Sequence, residues 1–150
     1  MKYIDILISN YPALSEVKPT IENSTKILIH AFRSRNKLLV CGNGGSAADS
    51  EHIAGELMKG FLLKRELSDS DKIIYGDYAD LLQYGLPCIP LTSFSALSTA
   101  VINDNSSEMM FAQQVFVYGC KGDVLIAMTT SGNSANVVNA AATAKGKGMK

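Results

Sequence analysis

The sequence predicts an α/β fold in which a parallel sheet lies between layers of helices as a three-layer sandwich. A short apolar run, a polar turn and a helix-forming stretch follow one another twice, at 37–59 and at 123–145, and a third apolar run, Pro87 to Leu91, stands between the two copies. Strands alternating with helices over such lengths form parallel sheets covered on both faces, with ligand sites at the carboxyl ends of the strands.

Each element has its own signal. Ile4, Leu7, Ile8 and Tyr11 recur at helical spacing, and a second amphipathic helix opens around Pro19 and carries Ile27, Leu28, Ala31 and Phe32 toward Arg35. Residues 1–36 therefore read as an N-terminal helical segment ahead of a sheet-containing domain at 37–150, the whole forming a single domain. Lys37 to Cys41 is a strand, Gly42-Asn43-Gly44-Gly45-Ser46 a glycine-rich turn, and Ala47 to Lys59 a proline-free helix. The stretch from Leu62 to Gly85 is less regular. Ser68-Asp69-Ser70-Asp71 is polar, whereas Tyr75, Tyr78, Leu81, Leu82 and Tyr84 can pack, so the segment reads as an excursion from the sheet, a lid or an interface element. After the middle strand, short helices are expected around Ala96 to Ile102 and Glu108 to Tyr118, the latter carrying Met109, Met110, Phe111, Val115 and Phe116 as core or subunit contact. The second unit runs from Asp123 to Met128 as strand, Thr129 to Ser134 as turn, and about Ala135 to Lys145 as helix. Gly146 to Lys150 reads as a helix end passing into a further strand, so the chain is expected to stop within its fold.

Composition bounds the function. With 14 Lys+Arg against 14 Asp+Glu the formal net charge is zero, which leaves no electrostatic footprint for a nucleic acid or an anionic membrane. A chain that is 47% apolar and 19% charged buries a core and is not disordered. Cys41, Cys88 and Cys120 lie in or beside apolar runs without the paired spacings of a zinc site or a disulfide framework, and read as core residues of a reduced compartment. There is no signal-peptide stretch and no apolar run near the roughly 18 residues that span a bilayer, so a cytoplasmic location is expected.

Two loops carry the chemistry. In Gly42 to Ser46 the glycines let backbone approach a ligand while the following helix aims N–H groups and its positive dipole end at the same point. The same residues also suit a plain strand-to-helix turn capped by Ser46. The loop has neither the glycine spacing of a dinucleotide fingerprint nor the lysine of a Walker loop. Thr129-Thr130-Ser131-Gly132-Asn133-Ser134 sets four hydroxyls before a helix, enough to surround a phosphate without lysine or arginine. Asp49, His52 and Glu56 project from one helix face, either as a proton-transfer or metal site or as a solvated surface group. His30 stands alone as a packing or surface residue. Asn103-Asp104-Asn105 offers amides and a carboxylate to sugar hydroxyls, or forms an ordinary turn.

The segments CGNGGSAADSEHIAGEL, Cys41 to Leu57, and GDVLIAMTTSGNSAN, Gly122 to Asn136, resemble the sugar isomerase (SIS) domain family, and within it the bacterial phosphoheptose isomerases. The resemblance runs from about Lys37 to the end. It implies conversion of sedoheptulose 7-phosphate to D-glycero-D-manno-heptose 7-phosphate, a step toward the heptose of lipopolysaccharide or capsule, through an enediol. It makes Asn43, Gly44, Gly45, Ser46, Asn103 and Asp104 substrate contacts, and Thr129, Thr130, Ser131 and Ser134 the phosphate holders. It matches His52 and Glu56 to two zinc (Zn2+) ligands, with Glu56 also the catalytic proton-transfer group, and places the other ligands and an acid/base histidine beyond Lys150. It implies a homotetramer. Thr129 stands where serine is common in the family, and the 62–85 stretch is longer than in compact members. The alternatives are a noncatalytic SIS protein that binds a partner such as the replication initiator, or a sugar-phosphate sensor.

Overall fold

The structure, a computed structural model, describes all 150 residues. Three parallel strands, β1 (Leu38–Gly42), β2 (Cys88–Pro90) and β3 (Val124–Met128), form one sheet in the order β2-β1-β3. Seven helices complete the chain: α1 (Lys2–Asn10), α2 (Lys18–Arg33), α3 (Gly45–Met58), α4 (Asp69–Tyr75), α5 (Ser95–Asp104), α6 (Met110–Tyr118) and α7 (Ala135–Gly146). The expected three-layer architecture is present, and the element boundaries lie within two or three residues of those read from the sequence. None of the helices is long and apolar enough to cross a membrane.

The central strand explains the layering. All five residues of β1 are buried, and because successive side chains of a strand point to opposite faces, they feed two cores. Leu39 and Cys41 enter a cluster with Phe111 and Val115 of α6 and Val137, Ala140 and Ala144 of α7. Leu38 and Val40 enter the other, with Ala31 of α2, Ala54 of α3, Cys88 and Val124. The N-terminal helical segment thus shares a core with the sheet. Burial raises the Cys41 thiol to about 12 and the Cys88 thiol to about 11, so both stay protonated and inert at neutral pH. Cys120 departs from the expectation, being exposed in the turn after α6, and Phe116 on the outer side of α6 is also exposed while Phe111 and Val115 are core.

The excursion at 62–85 is real and contains α4, capped by Ser68, whose hydroxyl accepts from the Asp71 amide. It is stapled to the end of α3 through Arg65, which donates to the carbonyls of Leu57 and Tyr84, each at 2.7 Å. Arg65 thus joins the Leu86 amide on the Leu57 carbonyl and supplies a donor to that of Tyr84.

At the amino end of the sheet lies a buried polar knot. Asp123, 1% exposed, accepts from the Lys37 amide at 3.0 Å, the Lys37 ammonium at 2.6 Å, the Cys120 amide at 2.8 Å and the Asn36 carboxamide at 3.2 Å. Burial by itself raises the carboxyl's pKa, but the four donors prevail and hold it below the 3.8 of an ordinary aspartate. A lowered folded pKa means the knot's stabilisation is complete above pH 3.8 and is lost as pH falls through the folded value. Asp123→Asn is expected to cost about 2 kcal/mol at neutral pH. Urea denaturation measures this, and the gap between wild type and variant should narrow below pH 3.8; a gap that persists in acid would count against the knot.

Candidate functional site

Both polar loops emerge at the carboxyl edge of the sheet, as the strand–turn–helix pattern requires. β1 and β3 pair in register from Leu38 with Val124 to Gly42 with Met128, so the two strands end level and their loops face each other. Gly42 is needed there because a Cβ would lie 2.6 Å from that of Ser46. Gly44 adopts φ +57° to turn the chain into α3.

Between the loops opens a cavity of about 320 Å3, lined by Asn43, Gly45, Ser46 and Asp49 on one side and Met128, Thr129, Thr130 and Ser134 on the other. No lysine or arginine is among them. What the cavity offers instead is helix termini. α3 starts after Gly44, which has no side chain to cap it, and α7 starts after Ser134, whose hydroxyl makes no capping bond. The Ser134 hydroxyl is turned to Thr129 at 3.0 Å, and Thr129 also lies 3.3 Å from the Ser131 hydroxyl. Away from the cavity, serines cap α4 and the short turn at Ser107–Met109, while α1, α2, α5 and α6 carry no side-chain cap. The two helices that face the cavity therefore keep their first-turn amides free of side-chain caps, with two positive dipole ends converging on one space. A hydroxyl-lined pocket at paired helix N-termini binds an anion without needing a cation.

The loops are tied across the mouth. Asn43 and Asn136 exchange two carboxamide hydrogen bonds, each 2.9 Å. Asn136 falls at the second position of α7, inside the SGNSAN run, and its partner across the cleft is a matter of tertiary placement. Asp49 and Met128 line the cavity too, although the sequence reading gave neither of them that place.

The other expected site residues lie elsewhere. Gly44 and Ser131 belong to the two loops without lining the cavity. Ser46 is not the cap of α3 but its second residue, the cap position being Gly44. Asn103 and Asp104 close the last turn of α5, exposed, with the Asn103 amide donating to Asp104 at 2.7 Å. His52 and Glu56 are exposed on α3 beyond Asp49, about 10 and 16 Å along the helix from Gly45 at the usual rise per residue. No third His, Cys, Asp or Glu joins them in a group that could hold a metal ion. Zinc sites use three or four protein donors, so these residues do not by themselves fit a zinc centre.

The amide pair makes a measurable claim. In a double-mutant cycle of Asn43→Ala and Asn136→Ala, urea denaturation should show a coupling of about 0.5–1 kcal/mol. Strict additivity would mean that the loops are not joined in solution.

Comparison with known proteins agrees with this geometry. A family model described as the SIS domain matches residues 3–84 and 72–150. The phosphoheptose isomerase of Thiobacillus denitrificans is 37% identical over 142 residues, which cover 95% of this chain and 63% of that protein. That of Helicobacter pylori is 38% identical over 138 residues, 92% of this chain and 62% of that protein. The chain thus spans just under two thirds of the length of these relatives. Among solved structures, phosphoheptose isomerase GmhA from Neisseria gonorrhoeae superposes with a TM-score of 0.70 at 30% identity over 98% of this chain and 64% of that one. A phosphoheptose isomerase from Francisella tularensis gives 0.72 at 28% identity, covering all of this chain and 73% of that one. Two loops on level strands, uncapped helix ends facing one cleft, and a family match along nearly all of its length place this chain in the SIS domain family.

Proposed function

We propose that the chain serves a ketose–aldose isomerase acting on a phosphorylated sugar, sedoheptulose 7-phosphate in the first instance, with D-glycero-D-manno-heptose 7-phosphate as product. The observation that carries this reading is the cation-free, hydroxyl-lined cavity between two uncapped helix N-termini, a place for a phosphate monoester. The relatives named phosphoheptose isomerase supply the sugar.

In this reading Thr129, Thr130 and Ser134 donate hydroxyl hydrogens to the phosphate, the first-turn amides of α7 add theirs, and the α3 terminus lies alongside. The sugar then extends along α3 toward His52 and Glu56. The Glu56 carboxylate removes the proton beside the carbonyl and returns it to the neighbouring carbon, with an enediol between the two transfers. In the same interchange the hydroxyl proton passes from one oxygen to the other, and no electrons leave the substrate, so no redox partner is consumed. No step is routed through zinc, because His52 and Glu56 are only two donors.

The 61–82 stretch has a place in the same scheme. Phe61, Leu62, Leu63, Ile73 and Leu81 are each more than three-quarters exposed, which fits burial between copies of the chain in a homotetramer. Light scattering on the purified protein should give four chains per particle; a monomer would remove this assignment.

The chemistry is tested by incubating sedoheptulose 7-phosphate with the protein in heavy water and following it by NMR. Product and deuterium uptake at the carbon beside the carbonyl are expected, and a parallel sample with chelator reports whether a metal contributes. Glu56→Gln should reduce turnover at least about 100-fold while sparing binding of the phosphosugar. Ligand broadening without deuterium uptake would leave a binding protein and sink the isomerase reading.

A further inference from the structure

Asp49 is the one charged side chain lining the cavity, and the salt bridges of the chain all lie elsewhere, at Asp5, Asp123 and Lys72. Asp49 is exposed, so its carboxylate has water but no protein group as donor. It repels a phosphate, and at about 6 Å along α3 from Gly45 it is beyond the first turn, where acidic residues complement the helix dipole. A carboxylate is purely an acceptor, whereas the opposite wall, built from Thr129, Thr130 and Ser134 with the α7 terminus, is rich in donors. On the carboxylate's own wall Asn43, Ser46 and the α3 terminus add donors near Gly45, so the cavity is polarised along α3. The helix ends suit a phosphate, and the Asp49 end suits groups that bring hydrogens of their own.

From this polarity we infer that Asp49 is a specificity-determining residue that accepts hydrogen bonds from hydroxyls of the ligand's carbon chain, so that the site selects phosphorylated polyols over inorganic phosphate, simple alkyl phosphates and diphosphates. The inference rests on the phosphosugar reading above and deepens it. A diphosphate would set a second anionic group against Asp49, and an alkyl chain would displace water from the exposed carboxylate without offering it a donor, each of which is unfavourable. A hydroxylated chain resolves both problems, since hydrogen bonds to a charged acceptor are stronger than neutral ones.

The test is a comparison of three probes, sedoheptulose 7-phosphate, n-butyl phosphate and inorganic phosphate, titrated by calorimetry into wild type and Asp49→Asn, with Asp49→Ser as a second variant. The expected result has opposite signs. Loss of the carboxylate weakens the phosphosugar by about tenfold and tightens inorganic phosphate by about two- to threefold, because a like charge has been removed. A structural role for Asp49 would move all three probes in the same direction, and that result overturns the inference, as does a phosphosugar affinity unchanged in both variants. Wild type that binds none of the three probes would overturn the phosphosugar reading itself, and this inference with it, whereas binding of all three with unaltered ranking in the variants overturns the inference alone.

Discussion

The buried carboxylate of Asp123 is the constraint on which the rest of the molecule depends. It gathers the Lys37 amide and ammonium, the Cys120 amide and the Asn36 carboxamide at one point, and so pins the start of β3 to the start of β1. A parallel pair has no hairpin to set its register, and a slip of one residue would send Leu39 and Cys41 to the face now taken by Leu38 and Val40. With the register held at the amino end, Gly42 and Met128 finish opposite each other at the carboxyl end. The cleft exists because the strands stop together.

From that edge the chemistry follows by subtraction as much as by placement. A side-chain cap would consume an amide at the start of α3 or α7, and neither helix has one. Glycine at the α3 cap position leaves room, and Ser134 spends its hydroxyl on Thr129 instead of on its own helix. Serines do cap elsewhere, at Ser68 and Ser106, although α1, α2, α5 and α6 also lack side-chain caps, so what sets α3 and α7 apart is that both open onto one cavity. Relative to a good cap the cost is roughly a few tenths of a kcal/mol at Gly44 and about 1 kcal/mol at Ser134, and a bound anion would offset it. The Asn43–Asn136 pair then joins the loops without touching those amides.

Much of this was legible beforehand, for identifiable reasons. The strands were bounded by glycine or hydroxyl clusters, and their apolar runs were too short for helices, so their type and order could be read. The loops announced themselves because four hydroxyls in six residues exceed what a cap requires. Ser46 suits either a cap or a ligand contact by sequence; the positive φ of Gly44 starts α3 two residues earlier than the cap alternative needs and leaves Ser46 lining the cavity. Cys120 was misjudged because it borders the apolar run of α6, while the chain actually turns outward there to reach Asp123.

The sequence by itself determined the three-layer architecture, the two cavity loops and the family, since each rests on local patterning: hydrophobic period, turn chemistry and contiguous motifs. Only the tertiary structure decided which of those residues meet. It brought Asn136 to Asn43 and Arg65 to the carbonyls of Leu57 and Tyr84, buried Asp123, turned Asp49 into the cavity and left Asn103 and Asp104 outside it. The physical reason is that such pairings join residues as many as 93 positions apart, and their geometry is set by strand register and helix packing, quantities no single stretch of chain encodes.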